Sequence, residues 1–511
     1  MTKRTFAIAL SGLLMAACGK DVIEMKDITY FDAVDNVSFD RTVTVALSDG
    51  GSTVNYSSDD FSYSVSGGKV TIVNNSTERI RYEVSGSTTN GQLKIYSSAV
   101  QALSLNSVNI ANGSGAAINL QGATDDLSKA QRTYIVMTGS STISDGSTYS
   151  DTDGEDQKAA LFSEGILAFS GSGSLTVNAS GRSGVVSDDY IHMTGGTLTV
   201  NCSSSASVSG GDTLKPAGIK AKDAFVVSGG TLIVSSTGTG CKGISGSGTA
   251  MFRGGTVSVT TTGSNYGSSK GGPGDDNGHG PGNNEQSSSG VSAKGIRFDG
   301  DIAVSGGSLT VKCTSHEGIE SKSKITVSGG AVYSYSAADD AINSGGDMTI
   351  SGGYVCAYAT SNDGLDANGD CYIKGGVVYA IGASSPEVAV DANTEENYTL
   401  YVQGGTLIAV GGLESGAELD QSCYSAGSWS SNTWYALTAD GANYLFKTPS
   451  SGGSGLVISA SSSPSLKSGV SASGGTEYAD GMLIVGGSYS GGSTVSLSSY
   501  TGGNNNGGGH R

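Results

Sequence analysis

The sequence predicts an all-β chain built as a parallel β-helix, a solenoid closed by β caps at its N-terminal and C-terminal ends. Three observations carry this. One phrase recurs across residues 315–393: HEGIESKSKITVSGG, DDAINSGGDMTISGG, NDGLDANGDCYIKGG and, more loosely, PEVAVDANTEENYTLYVQGG. Gly-Gly pairs open at Gly306, Gly329, Gly352 and Gly375, so three successive steps are each 23 residues, and such a period marks stacked units. Each copy ends in a short alternating strand such as AVYSYS, YVCAYA or VVYAIG, and none carries the 3.6-residue apolar period of a helix. Finally, Gly supplies 81 of 511 residues and Pro only 6, which suits tight corners rather than extended linkers. A unit made only of strands and corners must bury its face on the next unit.

Taken in order, residues 1–17 read as a lipoprotein signal peptide. Thr2, Lys3 and Arg4 open it, an apolar run spans 6–14, and Leu14-Met15-Ala16-Ala17-Cys18 resembles a bacterial lipobox. Lipidation at Cys18 and anchoring in the outer membrane at the cell surface are expected, followed by a tether over 18–35. Residues 36–92 carry VTVAL, YSVSGGKVTIV and RIRYEVSG and predict an N-terminal cap with the first strands, since an open sheet end must be covered. The β-helix itself is expected over 93–411. Gly-Gly pairs at Gly195, Gly229, Gly254 and Gly306 are separated by 34, 25 and 52 residues, and the longest gap holds a flexible loop, 262–289. Residues 412–500 predict a C-terminal β cap and 501–511 a disordered tail. Cys202, Cys241, Cys313, Cys356, Cys371 and Cys423 show no CxxC spacing and read as small buried apolar residues.

The net charge of −18 argues against general nucleic-acid binding. No stretch after the leader is long and apolar enough to span a bilayer, so membrane contact is expected through the lipid alone. The chain is expected to be a monomer. No phosphate loop, dinucleotide fingerprint or HExxH is present.

The period turns positions into columns. Glu317, Asp340 and Asp363 fall one above another, as do Glu320, Asn343 and Asp366, with Asp391 next after a two-residue insertion. Carboxylates stacked at about 4.8 Å repel unless a cation lies between them, and Ca²⁺ accepts irregular oxygen cages. A solvated acidic corner is the other reading. Further up the chain the same columns hold Lys242 and Lys294, and Lys220, Ser245 and Arg297. The corner therefore changes from basic to acidic. A polyanion lying on the basic repeats and sharing cations with the acidic ones is one account, and charge balance between neighbouring repeats is another. His316, in the column of Asp339 and Asn362, reads as a solvated corner residue. Alternation after each Gly pair sends Tyr333, Tyr335, Tyr358 and Tyr379 outward. They form a strip that either stacks on sugar rings or merely shields the sheet.

The segments DGSTYSDTDGEDQKAALFSEG at 145–165 and SGSGSLTVNASGRSGVVSDDYIHMTGGTLTV at 170–200, with the NDGLDANGD corner, resemble a family of bacterial carbohydrate-binding proteins, secreted or lipid-anchored. The resemblance spans roughly residues 80–411. It implies a right-handed parallel β-helix similar to that of pectate lyases, with bound calcium and plant polysaccharides such as polygalacturonate or cellulose as partners. It also implies calcium ligands at Glu317, Glu320, Asp340, Asn343, Asp363, Asp366 and Asp391. Val388 replaces the first carboxylate of the fourth copy. Lys220, Ser245 and Arg297 depart from an acidic corner, and calcium is not expected there.

Three functions follow as expectations. The first is a non-catalytic, calcium-dependent binder of acidic or β-linked polysaccharide. It would use Lys220, Lys242, Lys294, Arg297 and the tyrosines Tyr333, Tyr335, Tyr358 and Tyr379. The second is a calcium-dependent pectate-type lyase with Lys294 or Arg297 as base. The third is a structural surface solenoid or adhesin.

Overall fold

The computed structural model describes residues 36–122, 132–150, 155–209, 212–267 and 290–502. The leader, Cys18, the tether and most of the 262–289 loop and the terminal tail lie outside them. Among the described residues secondary structure is almost wholly β, with no α-helix and with short 3-10 turns such as Thr394–Glu396 and Ala479–Gly481. No helix among them is long and apolar enough to cross a membrane.

A repeat supplies three strands, of which the first two run together in Met348–Ala359 and Cys371–Ile381. In one repeat these are Ile302–Val304, Ser308–Cys313 and Ile319–Ser321. Each pairs in parallel with its equivalent 23 residues on: Ile302 with Ile325, Leu309 with Val332, Ile319 with Ile342. The uneven upstream gaps are also single repeats. Thr197 faces Thr231, Thr231 faces Thr256, and Thr256 faces Ser308. The first two strands of each repeat extend a 27-stranded sheet and the third a 12-stranded one. Equivalent residues in successive repeats are therefore spatial neighbours, as the period predicts.

Alternation decides what is buried. In Ser308–Cys313 the side chains of Leu309, Val311 and Cys313 enter the core, and in the next repeat Val332, Ser334 and Ser336 do. Buried hydroxyls need partners. Ser334 Oγ donates to the Ala341 carbonyl at 2.5 Å and Ser336 Oγ to that of His316 at 2.8 Å. The six cysteines from Cys202 to Cys423 are buried and free.

The second glycine of each pair turns the chain between the first two strands. Gly330, Gly353, Gly376 and Gly405 all have φ near +80°, a region that side chains with a Cβ disfavour. A Cβ on Gly376 would lie 2.6 Å from the Gly353 carbonyl oxygen. Gly376→Ala is therefore expected to destabilise the fold by about 1–3 kcal/mol, measured as a lower urea midpoint. An unchanged midpoint would show that the corner tolerates a side chain.

Both ends of the stack use antiparallel strands. Phe61–Ser66 pairs antiparallel with Lys69–Asn74, which then starts the parallel series with Gln92–Ser97. Arg41–Ser48 is already parallel to Ile80–Thr88. At the other end Leu456–Ser459 runs antiparallel to Thr406–Val410 and takes up its free edge. Beyond it lies a six-stranded antiparallel sheet that includes Trp434–Ala439, Ala442–Lys447, Ser465–Ser473 and Ser488–Val495.

Candidate functional site

The third strands build the site. Parallel pairing sets Lys220, Ser245, Arg297, Glu320, Asn343 and Asp366 in one file. Bridges from Leu365 to Val390 and from Val390 to Leu413 carry that file on to Asp391 and Glu414. A second file lies three residues earlier in the chain. Backbone bonds from Gly295 to Glu317, Gly318 to Asp340 and Ala341 to Asp363 stack Lys294, Glu317, Asp340 and Asp363. Both sets of sequence-predicted carboxylates are thus brought together. Glu414 is an addition. It lies 23 residues after Asp391, so one more step of the period points to it.

The corner is buried rather than solvated. Glu317, Glu320, Asp340 and Asp363 are all below 9% exposed, and Lys294 is 1% exposed. The ammonium of Lys294 lies 2.8 Å from Glu320 Oε2 and 3.2 Å from Glu317 Oε1. Lys322 adds 2.6 Å to Glu320 Oε1. Burial works against the charge of Glu320, but Lys294 and Lys322 outweigh it and hold its carboxyl below the ordinary range. A cation of the chain itself therefore stands where an ion between Glu317 and Glu320 was expected.

Further along, the described residues offer no such cation. Among the described residues no Lys, Arg or His forms an ion pair with Asp340, Asp363, Asp366, Asp391 or Glu414. Neutral donors do part of the work. Asn343 Nδ2 donates to Asp340 Oδ2 at 3.0 Å and to Asp366 Oδ2 at 2.7 Å. The Val388 amide donates to Asp363 Oδ1 at 2.6 Å. Burial and neighbouring carboxylates still push these acids up: Asp366 to about 7, Asp363 to about 8, Asp391 to about 10, and Asp340 well above its usual value. Positive charge brought among such a set favours its ionised form. Its donors are all oxygen, which fits a hard cation such as Ca²⁺, and Asp340, Asp363, Asp366, Asp391 and Glu414 are the residues that would hold it.

The basic repeats are less open than the sequence suggests. Lys220 is exposed. Lys242 is half-buried, donates to the Ser292 carbonyl at 2.9 Å, and is lowered to about 8 by burial, with Lys294 and Arg297 adding repulsion. Arg297 is held by Asp299 at 2.6 Å. Lys294, expected to face a polymer or to act as base, is sealed inside its ion pairs instead.

The tyrosine strip is also corrected. Its side chains do leave the repeat face as predicted, but the C-terminal antiparallel sheet packs on them. Tyr379 is fully buried, donates to the Lys447 carbonyl at 2.8 Å and lies 5.5 Å from the Phe446 ring. Tyr333 is 8% exposed. Tyr354 stacks on Tyr478 at 4.1 Å, and Lys312 pairs with Asp480 at 2.5 Å. Of the four tyrosines expected in the strip, Tyr335 and Tyr358, edge to face at 5.3 Å, are half-buried. A strip of Tyr, Val and Ile that size is apolar enough to demand a cover.

A family model described as carbohydrate-binding domain-containing protein matches residues 66–341 and 312–366. Together these segments take in more than half of the chain and both files up to Asp366. The chain belongs to this carbohydrate-binding domain family. No curated protein matches it significantly. A solved structure, the polysaccharide lyase-like protein from C. thermocellum in a gadolinium derivative, is similar at 18% identity and a TM-score of 0.33. The match covers 57% of this chain and 94% of that one, a likeness too weak to bear on activity. In this family member, then, the acidic corner runs on past the matched segments to Asp391 and Glu414.

Proposed function

We propose that the protein is a non-catalytic, calcium-dependent polysaccharide-binding protein, built as a right-handed parallel β-helix and held at the cell surface by a lipid on Cys18. One observation carries the reading. Two neighbouring files of buried and half-buried carboxylates, Asp340 and Asp363 beside Asp366, Asp391 and Glu414, run across successive repeats with no cation paired to them among the described residues, in a chain of a carbohydrate-binding domain family. Calcium supplies the missing positive charge there. An acidic glycan such as polygalacturonate would share such ions through its own carboxylates and meet Lys220 on the neighbouring basic repeats. Tyr335 and Tyr358 remain as partial stacking surfaces. A lyase is less favoured, because Lys294 is enclosed by two carboxylates and Arg297 is tied to Asp299.

The test is affinity electrophoresis of the purified protein through gels containing polygalacturonate or soluble cellulose derivatives, with calcium or with chelator. Retardation is expected with calcium and is expected to disappear with chelator. No ultraviolet-absorbing unsaturated product should accumulate. Retardation that ignores the chelator would remove the role of calcium. Free migration through every glycan would leave a structural solenoid or adhesin as the better account.

A further inference from the structure

We propose that His316, Glu317 and Asp339 form a second metal site, for a divalent transition ion of the zinc class, separate from the oxygen-only file assigned to calcium. His316 Nδ1 lies 2.8 Å from Asp339 Oδ2 and in direct contact with Glu317 Oε2. The ligand atoms of all three residues lie within 4.8 Å of one another. Glu317 is 6% exposed, and its Oε2 also lies 3.2 Å from the Lys294 ammonium.

The surroundings hold these three groups in place. Asp339 Oδ1 accepts from Asn362 Nδ2 at 2.8 Å and from the Asp340 amide at 3.1 Å, which leaves Oδ2 for the ion. The Lys294 ammonium lies 3.2 Å from both Oε1 and Oε2 of Glu317 and fixes the plane of that carboxylate. The Ser336 hydroxyl donates to the His316 carbonyl at 2.8 Å and accepts the Asp339 amide at 3.0 Å, so one side chain fixes the backbone of two ligands. Such supporting bonds are what orient metal ligands. One imidazole and two carboxylates suit Zn²⁺ and its neighbours, whereas Ca²⁺ takes oxygen alone. The side chains of His316 and Asp339 are 19% and 24% exposed, so an ion can enter from solvent and keep a position for water or a glycan oxygen.

The experiment uses full-length, chelator-stripped protein titrated with zinc by calorimetry in excess calcium, so that oxygen-only positions are already filled. One zinc ion per chain is expected, and cobalt in its place should give visible absorption bands. His316→Gln and Asp339→Asn should each raise the zinc Kd at least about tenfold, the lower bound for losing even a supporting partner. His316→Gln should leave any calcium-induced rise in melting temperature unchanged. That readout also separates failure of this site from failure of the calcium assignment. No stoichiometric zinc binding in excess calcium, or equal zinc affinity in the wild type and both variants, would overturn the proposal.

Discussion

In chelator, the melting temperature of the protein falls as pH is raised from about 5.5 to about 9, and calcium offsets part of that fall. The sign follows from the acidic file. In the unfolded chain Asp ionises near pH 4. In the fold, burial first and neighbouring carboxylates second raise Asp366 to about 7, Asp363 to about 8 and Asp391 to about 10. Between those limits the folded state holds more protons than the unfolded one. Stability is therefore full near pH 4 and drains away as pH climbs through 7 to 10. Each such proton contributes about 1.4 kcal/mol per pH unit. His316 adds to the trend. Burial lowers its pKa, but Asp339 and Glu317 raise it more, to about 9, so its contribution is also lost on the alkaline side. Glu320, held low by Lys294 and Lys322, acts in the opposite sense, but only below about pH 5. Calcium binds the ionised carboxylates, so its effect should be greatest at high pH. At a thousandfold excess over Kd it adds about 4 kcal/mol. A profile that is flat or rising in chelator, or a calcium effect of equal size at both ends of the range, would refute the assignment.

Lys294→Met is expected to destabilise the protein by about 3–5 kcal/mol, because it strands Glu317 and Glu320 as buried charges. Lys294 Nζ reaches both carboxylates, and all three groups are nearly inaccessible to water. The triple variant Lys294→Met, Glu317→Gln, Glu320→Gln should recover most of the loss, since it removes the charges along with their partner. Urea denaturation of the three proteins checks this. A loss below about 1 kcal/mol for Lys294→Met would mean that the two carboxylates are solvated after all. Calcium should raise the midpoint of Lys294→Met more than that of the wild type, because the variant offers the ion a further pair of acids.

The stacking was legible because it is written locally. A 23-residue step and a Gly pair state which residues will be neighbours, and the pairings of Glu320 with Asn343 and Asn343 with Asp366 follow. Depth was not legible. A column of alternating letters says that Glu320 leaves the core, but not that Lys294, Lys322 and Arg297 close over it. His316 was read as solvated for the same reason. Its setting depends on Glu317 beside it and on Asp339 in the next repeat. The cover over Tyr333 and Tyr379 was harder still. It comes from residues after 433, whose antiparallel strands carry no period linking them to the repeats. Hydrophobic strands such as Ala442–Lys447 announce a sheet, yet nothing in their spacing names the surface on which they pack.

The uniform step between Gly307, Gly330, Gly353 and Gly376 has a genetic consequence. Ala331 and Tyr354 occupy equivalent places in adjacent repeats, so a gene could lose or duplicate the codons between them and keep the strand register on both sides. Losing that block would remove Asp340 and Asn343 and set Glu317 and Glu320 directly against Asp363 and Asp366. Ion capacity and gene length would then vary together, one in-frame block at a time.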